Sequence, residues 1–169
     1  MIAIDQAIKL FIARFMLDAQ FTIIPNVFSF RVSQNIHLGW MWNRIDFMMP
    51  LHFAVTISVV VIFIITIVHR YFAFLTLKWE KYHCIPNILL ILGLSAGFCK
   101  LIDDVFWGGS LDYIQLFDWF IFDLKDVYLT IAAVVSAYFC IAYEFYHRKL
   151  PKEKQKEQKF MSWVKSGLP

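Results

Sequence analysis

Three long runs of apolar residues constrain this chain more than any other feature. They cover residues 51–68, 84–102 and 122–143, and a helix needs about 20 such residues to cross the hydrocarbon core of a bilayer. With 60% hydrophobic and 17% charged residues, the 169-residue chain is more apolar than a soluble domain. We therefore predict an integral membrane protein built as one small bundle rather than several domains.

A fourth candidate span covers residues 1–17, which are mostly apolar but include Asp5, Lys9 and Arg14. Counted with the other three runs, it predicts an all-α bundle of four transmembrane helices, which we assign to residues 1–146. The third run contains the sequence GLSAG, a G-x-x-x-G pattern that allows two helix backbones to approach closely. We expect that pattern to mark a helix–helix contact.

The distribution of basic residues predicts the orientation in the membrane. Lysine and arginine occur between residues 69 and 83 and are frequent in residues 147–169, but residues 103–121 contain neither. Because lysine and arginine are enriched on the cytoplasmic side, we expect both termini and the basic tail of residues 147–169 to be cytoplasmic. Residues 103–121 then lie on the outer face.

The outward connection between the first two helices has the composition of β-strands. The sequence TIIPNVFSFRVSQN alternates Phe28, Phe30 and Val32 with polar residues, as expected for a half-buried strand. We predict a small β-rich segment on the outer membrane surface between helices 1 and 2.

Cysteine and histidine are placed without any metal-binding pattern. The three cysteines, Cys84, Cys99 and Cys140, form no CxxC pair, and the five histidines are scattered. We expect the cysteines to be small side chains in or beside the apolar segments. We expect neither a metal nor another cofactor.

Four aspartates lie in residues 110–129 among aromatic side chains, directly before the last apolar run: Asp112, Asp118, Asp123 and Asp126. Ionisable residues at membrane depth are costly and commonly mark a functional site. Asp112 and Asp126 come from two segments that converge at the outer edge of the bundle. Two carboxylates at such a short distance share one proton, so one can activate water while the other protonates a carbonyl.

The other two aspartates have simpler interpretations. Asp123 can cap the fourth helix, with Asp126 in its first turn facing the positive end of the helix dipole. Asp118 lies in an outward loop, where we expect it to be solvated, and we assign it no role.

Five short motifs follow one another along residues 4–133: IDQAIK, VSQNIHLGW, SAGFCKLIDD, GSLDYI and FDLKDVYLTI. In this order they resemble the conserved boxes of bacterial signal peptidase II, the lipoprotein signal peptidase family. The resemblance implies that Asp112 and Asp126 are the catalytic pair. It also implies supporting or substrate-binding roles for a second set of residues: Asp5, Lys9, Asn35, Lys100, Asp103 and Asp123.

The resemblance implies a membrane aspartic endopeptidase of the bacterial inner membrane. Such an enzyme removes signal peptides from prolipoproteins, cutting before a cysteine that carries diacylglycerol, with water as the nucleophile and without metal or cofactor. Its active site faces outward, where the signal helix and acyl chains arrive from the bilayer. The expected partners are lipoprotein substrates and membrane lipids, with no nucleic acid, and the expected state is a monomer.

Several positions depart from the family motifs: His37, Lys100, Asp104, Asp123 and Lys125. An arginine of the family is lost, and two lysines and two aspartates are gained. We interpret this as a rewired ion network in which Lys100 or Lys125 replaces the arginine. Lys100 is the simpler partner, since it precedes Asp103 and Asp104 by three and four residues. Alternatively, both lysines extend to the headgroups.

Two other functions compete with the peptidase. The altered neighbours of the aspartate pair suit a relative that binds lipoproteins without cutting them. The buried acids also suit a small proton- or cation-handling membrane protein with Asp5, Asp103, Asp112 and Asp126 as a relay. Against the relay, most of these acids crowd the outer edge instead of threading the bilayer.

Overall fold

The computed structural model describes residues 1–36, 50–77, 79–117 and 119–148. The predictions made for His37, Asp118 and the tail beyond residue 148 therefore lie outside the described residues. The elements follow one another in this order: α1 (Ile2–Phe15), β1 (Gln20–Ile24), β2 (Phe28–Asn35), α2 (Leu51–Thr76), α3 (Ile85–Ile102), β3 (Ser110–Leu116), β4 (Phe120–Phe122) and α4 (Leu124–Arg148). A 3-10 turn (Glu80–Tyr82) precedes α3, and a π-helical segment (Asp103–Trp107) extends it.

Three helices are long and apolar enough to cross a membrane, as the three apolar runs predict. They are α2, α3 with its π-helical extension, and α4, with 26, 23 and 25 residues and mean hydropathies of 2.7, 1.9 and 1.6. Apolar side chains such as Phe63 and Val134 project outward, each more than 60% exposed. Helix α1 has 14 residues and spans only about 21 Å. The fourth transmembrane helix therefore stays a prediction.

The glycines of the GLSAG pattern bring α3 against α2, as expected. A Cβ added at Gly97 would lie 2.9 Å from Cγ1 of Ile62, and one added at Gly93 would lie 3.0 Å from Cγ2 of Ile65. Farther along the bundle, side chains from all three long helices form one apolar core, made of Phe72, Leu89 and Phe139.

The β-structure is a single antiparallel sheet with the strand order β1-β2-β3-β4. Strands β1 and β2 confirm the strand prediction between the first two helices. The prediction was too narrow, however, because β3 and β4 come from the connection between α3 and α4 and complete the same sheet. The first four residues of β3 are all buried, including the polar Ser110 and Asp112, and its alternation of polar and apolar residues stops after Tyr113. Its Leu111 and Tyr113 pack against Ile12 of α1.

Two glycines lead from the π-helical segment into β3. Gly108 has a φ of 65°, and Gly109 has a φ of 148°. A Cβ on Gly109 would lie 2.7 Å from the backbone oxygen of Asn35, so this close approach of β2 requires glycine. In the register that follows, Ser110 lies opposite Asn35 and Asp112 lies opposite Ser33. The backbone geometry thus places the end of β2 beside Asp112.

Candidate active site

A cluster of charged side chains joins the first helix to the sheet end of the three long helices. Four of its members, Asp5, Lys9, Asp103 and Asp123, have no exposed surface. The others lie on β3 and in the first turn of α4: Asp112, Lys125 and Asp126. The structure therefore brings together most of the site residues that the sequence predicts.

Lys9 is the central cation of the cluster. Its Nζ lies 2.6 Å from Asp103, 2.7 Å from Asp123 and 3.0 Å from Asp5. Burying an ionised carboxylate without a counter-charge strongly destabilises a folded protein. One ammonium group from α1 thus stabilises carboxylates from three separate parts of the chain.

Gln6, which the sequence analysis gave no role, extends this network. Its Nε2 lies 3.1 Å from carboxylate oxygens of both Asp5 and Asp103, and its Oε1 accepts a hydrogen bond from Trp107 Nε1 at 3.1 Å. The other oxygen of Asp5 is buried and has no hydrogen-bond partner among the described residues. The glutamine of the IDQAIK motif therefore links α1 to both ends of the π-helical segment.

Lys125 is the second cation of the cluster, and Ser110 is its centre. The Nζ of Lys125 lies 2.5 Å from Asp123, 3.3 Å from Asp103 and 3.7 Å from Asp112, and it also contacts the Oγ of Ser110. The Ser110 Oγ lies 2.7 Å from Asp112 and 3.2 Å from both Asp103 and Asp123. A hydroxyl has a single hydrogen to donate, and the shortest of these contacts is to Asp112. Ser110 was not among the predicted site residues, although the GSLDYI motif contains it.

Asp123 caps α4, as the sequence predicts. The backbone N–H of Asp126 lies 3.3 Å from Asp123 Oδ1, and the backbone N–H of Asp123 lies 3.3 Å from Asp126 Oδ2. This reciprocal pair is a capping box, in which each side chain accepts a hydrogen bond from the other residue's backbone. The orientation of Asp126 is therefore tied to the start of its own helix.

The carboxylates of Asp112, Asp123 and Asp126 lie together at one point of the cluster. Each contributes an oxygen, and these oxygens all lie within 4.8 Å of one another. Asp112 also accepts hydrogen bonds from Ser110 at 2.7 Å and from Asn35 at 3.2 Å. Two carboxyl groups this close can share one proton and act together on a water molecule.

Burial and charge together shift the pKa values of Asp112 and Asp123 in opposite directions. Burial raises the pKa of Asp112 above its ordinary value, although the ammonium of Lys125 offsets part of that effect. Burial would also raise the pKa of Asp123, but the ammonium groups of Lys125 and Lys9 hold it below its ordinary value. Asp123 is therefore ionised at neutral pH, and Asp112 holds a proton more readily than a free aspartate does.

The same three carboxylates have the spacing of a cation site. The ammonium of Lys125 lies against Asp123 and 3.7 Å from Asp112, so a cation of the chain itself faces this group. Carboxylate oxygens are suitable ligands for Mg²⁺ or Ca²⁺, and the expected absence of a metal stays a prediction.

Lys100 lies apart from the aspartate pair. It forms an ion pair with Asp104, whose other oxygen accepts a hydrogen bond from Ser58 of α2 at 3.0 Å. The sequence favoured Lys100 over Lys125 as the replacement for the lost arginine, with Asp103 and Asp104 as its partners. Lys100 does pair with Asp104, but Lys125 is the lysine that contacts Asp103 and the rest of the cluster. On α3, the spacing of four residues directs Lys100 to Asp104, whereas Lys125 projects from the start of α4 into the cluster.

A cavity of about 540 Å³ opens beside the carboxylates, between α2, α3 and α4. One end is polar and includes Asn35, Asp112 and Asp126, while its walls carry apolar side chains such as Val61, Ile65 and Leu129. Lys100 lines this cavity as well. The arrangement can hold an apolar group along the helices and present a polar bond to the carboxylates.

Comparisons with known proteins identify a family and a shared fold. A family model described as Signal peptidase (SPase) II matches residues 1–142. Two solved structures, each described as a bacterial membrane enzyme obtained by the in meso method, share the fold. One has a TM-score of 0.63 at 18% identity, covering 93% of this chain and 88% of the solved chain. The other has a TM-score of 0.64 at 22% identity, covering 82% and 86%.

A search of curated proteins found no match. The family match nevertheless extends over all three long helices, the sheet and the charged cluster. On that match, the chain belongs to the signal peptidase II family, and it is a multi-pass membrane protein.

Proposed function

We propose that this protein is an aspartic endopeptidase that removes signal peptides from prolipoproteins, cutting before a cysteine that carries diacylglycerol. One observation carries the proposal: oxygens of Asp112 and Asp126 lie within 4.8 Å of each other at the polar end of a cavity bounded by three membrane helices. The family match supports the class of substrate.

The proposed reaction needs only water and the two carboxyl groups. One carboxylate takes a proton from water as the water oxygen bonds to the scissile carbonyl carbon, and the other carboxyl gives its proton to the carbonyl oxygen. The tetrahedral intermediate then collapses, the C–N bond breaks, and a proton passes to the leaving nitrogen. Asn35 and Ser110 orient Asp112 through their hydrogen bonds, and the capping box orients Asp126.

The cavity fits a substrate that arrives from the bilayer. Its walls come from α2, α3 and α4, and small residues of α3, namely Gly93, Ala96 and Gly97, form part of its lining. A signal helix or an acyl chain is already out of water in the bilayer, so its association with these walls rests on close van der Waals packing against the small residues. The polar end of the cavity then places the peptide bond beside the two carboxylates.

The proposed orientation places this site on the outer face, with residues 1–146 as the peptidase domain and residues 147–169 as a cytoplasmic tail. Phe117 is 53% exposed in the turn that follows β3. In a background without the native cysteines, Phe117→Cys should react with a membrane-impermeant label added from outside. A reporter fused after Leu150 should be active in the cytoplasm, and labelling with the reverse pattern would overturn the orientation.

The test of function uses the purified full chain in detergent and a diacylglyceryl-modified prolipoprotein. Wild type should release the signal peptide, and Asp112→Asn and Asp126→Asn should each lower turnover at least about 10²-fold, the lower range of general acid–base effects. Asp18 is exposed on the turn after α1, so Asp18→Asn is the matched control and should retain wild-type turnover. Near-normal turnover in either dyad variant would refute the role given to that residue.

The same preparation separates the peptidase from its rivals. A wild type that binds the prolipoprotein without cutting it would identify a binding relative. Proton or cation flux in proteoliposomes, without cleavage, would identify a transporter. The position of the acids favours the peptidase, because Asp103, Asp112 and Asp126 gather at one end of the helices instead of along their length.

A further inference from the structure

Lys125 departs from the family motif, and its ammonium lies inside the charged cluster. It is 6% exposed, and its ammonium contacts three aspartates and a serine. The carboxylates outnumber the ammonium groups, since Asp5, Asp103, Asp112, Asp123 and Asp126 share only Lys9 and Lys125 among the residues described. The place of Lys125 in this set therefore decides which carboxylates are ionised.

The two dyad carboxylates have unequal surroundings. Asp112 faces the ammonium of Lys125 at 3.7 Å and accepts hydrogen bonds from Ser110 and Asn35. Asp126 lies beyond ion-pair distance of that ammonium, although the positive charge acts on it too, and it accepts one hydrogen bond of 3.3 Å from the backbone of Asp123. Opposite charge and hydrogen-bond donors both favour an ionised carboxylate, so the surroundings favour the charged form of Asp112 over that of Asp126.

The other charged groups near Asp112 do not reverse this inequality. Asp123 and Asp126 of the α4 start and Asp103 at the end of α3 are acidic, so they favour a protonated neighbour. Lys9 is bound to the carboxylates of Asp5, Asp103 and Asp123. Lys100 is paired with Asp104. Among the described residues, Lys125 is the cation whose ion pair includes a dyad carboxylate.

We propose that Lys125 is a positioning residue that fixes the direction of proton transfer, keeping Asp112 ionised as the base and leaving Asp126 as the proton-carrying acid. This inference rests on the proposed function. In the first step Asp112 takes a proton from water while Asp126 gives its proton to the carbonyl oxygen. In the second, Asp112 gives that proton to the leaving nitrogen as the C–N bond breaks, and Asp126 takes back a proton from the intermediate as the carbonyl reforms. Both carboxyls return to their starting states.

The test is the pH dependence of kcat/KM for the full chain in detergent with the diacylglyceryl-modified substrate. Lys125→Met removes the charge that favours ionised Asp112, so the acidic limb of the profile should move to higher pH by about one unit or more, because a neighbouring opposite charge shifts a carboxyl by about 1–3 units. Lys125→Arg keeps the charge and should restore the limb to near its wild-type position. Lys100→Met removes a lysine of the same cavity and should leave the position of the limb unchanged.

An unshifted acidic limb in folded Lys125→Met would overturn the inference, and so would an equal shift in Lys100→Met. Should Lys125→Met not fold, ¹³C-aspartate NMR of the substrate-free wild type decides the question, with resonances assigned from the Asp112→Asn and Asp126→Asn variants. Asp112 should lose its proton at lower pH than Asp126, and the reverse order would refute the proposal. Failure of the proposed function gives a different result, because the wild type itself would then not cleave the substrate.

Discussion

Replacing Lys9 with methionine tests the energetic importance of the buried network. Methionine keeps a long flexible side chain but leaves Asp5, Asp103 and Asp123 without the ammonium that lies 2.6–3.0 Å from them. Removing one partner of a buried ion pair costs about 3–5 kcal/mol. At about 2–4 °C per kcal/mol for a chain of this size, the midpoint of thermal unfolding in detergent should fall by about 6–20 °C.

The loss should depend on pH in a direction that the charges determine. Burial raises the pKa of Asp123, but Lys125 and Lys9 outweigh that effect and hold the pKa below its ordinary value. An aspartate whose pKa is lower in the folded protein than in the unfolded chain stabilises the fold at pH values above its unfolded pKa of about 3.9. That contribution is lost as the pH falls through the folded pKa. The part of the difference between Lys9→Met and wild type that comes from Asp123 should therefore be fully present above about pH 4 and shrink as pH falls further, through the depressed pKa of Asp123.

Arg14 provides a matched control on the same helix. It is exposed, and its guanidinium lies 5.7 Å above the ring of Phe15. Arg14→Met should change the free energy of unfolding by no more than about 0.5 kcal/mol, as surface substitutions do. Equal midpoints for Lys9→Met and Arg14→Met would refute the argument that the buried network needs Lys9.

Two further predictions concern glycines. Gly97→Leu should lower the free energy of unfolding in detergent by about 1–3 kcal/mol, because even a Cβ there lies 2.9 Å from Ile62 and overpacking has this cost; an unchanged unfolding midpoint would contradict the α2–α3 contact. Gly109→Ala should reduce turnover more than Gly108→Ala, since an added Cβ meets the Asn35 oxygen at 2.7 Å at position 109 but nothing within 4 Å at position 108. Equal turnover in the two variants would show that the approach of β2 does not position Asp112.

Local patterns in the sequence predicted much of this architecture. Apolar runs are visible in the chain because a span must satisfy its backbone internally and present apolar side chains to lipid. The cap at Asp123 is equally local, since both of its partners lie within one helical turn. The helix–helix contact at the glycines of α3 was also predicted correctly. Two glycines four residues apart lie on the same face of a helix, and without side chains they let another helix approach.

Long-range contacts account for what the sequence did not reveal. Lys9 and Asp103 are separated by 94 positions, and spacing within one helix says nothing about such a pair. Lys100 and Lys125 were both candidates to replace the lost arginine because both lie close in sequence to the aspartates. Closeness in sequence did not distinguish which of them contacts the cluster. Strand β3 is also a long-range feature: its alternation of polar and apolar residues ends after Tyr113, and it is completed by pairing with β2, far away in the sequence.

The partners of Lys9 have a consequence for how this protein is made. Lys9 belongs to the first helix, and one of its partners, Asp123, directly precedes the last. The ribosome synthesises Asp5 and Lys9 long before Asp103 and Asp123. While the nascent chain is being inserted, Asp5 and Lys9 therefore have only each other as charged partners within this network. The network closes when α4 is synthesised and inserted. A chain that ends before Asp123 lacks Asp123, Lys125 and Asp126 together, so Lys9 keeps only Asp5 and Asp103 as partners and the three-carboxylate group beside the cavity is incomplete.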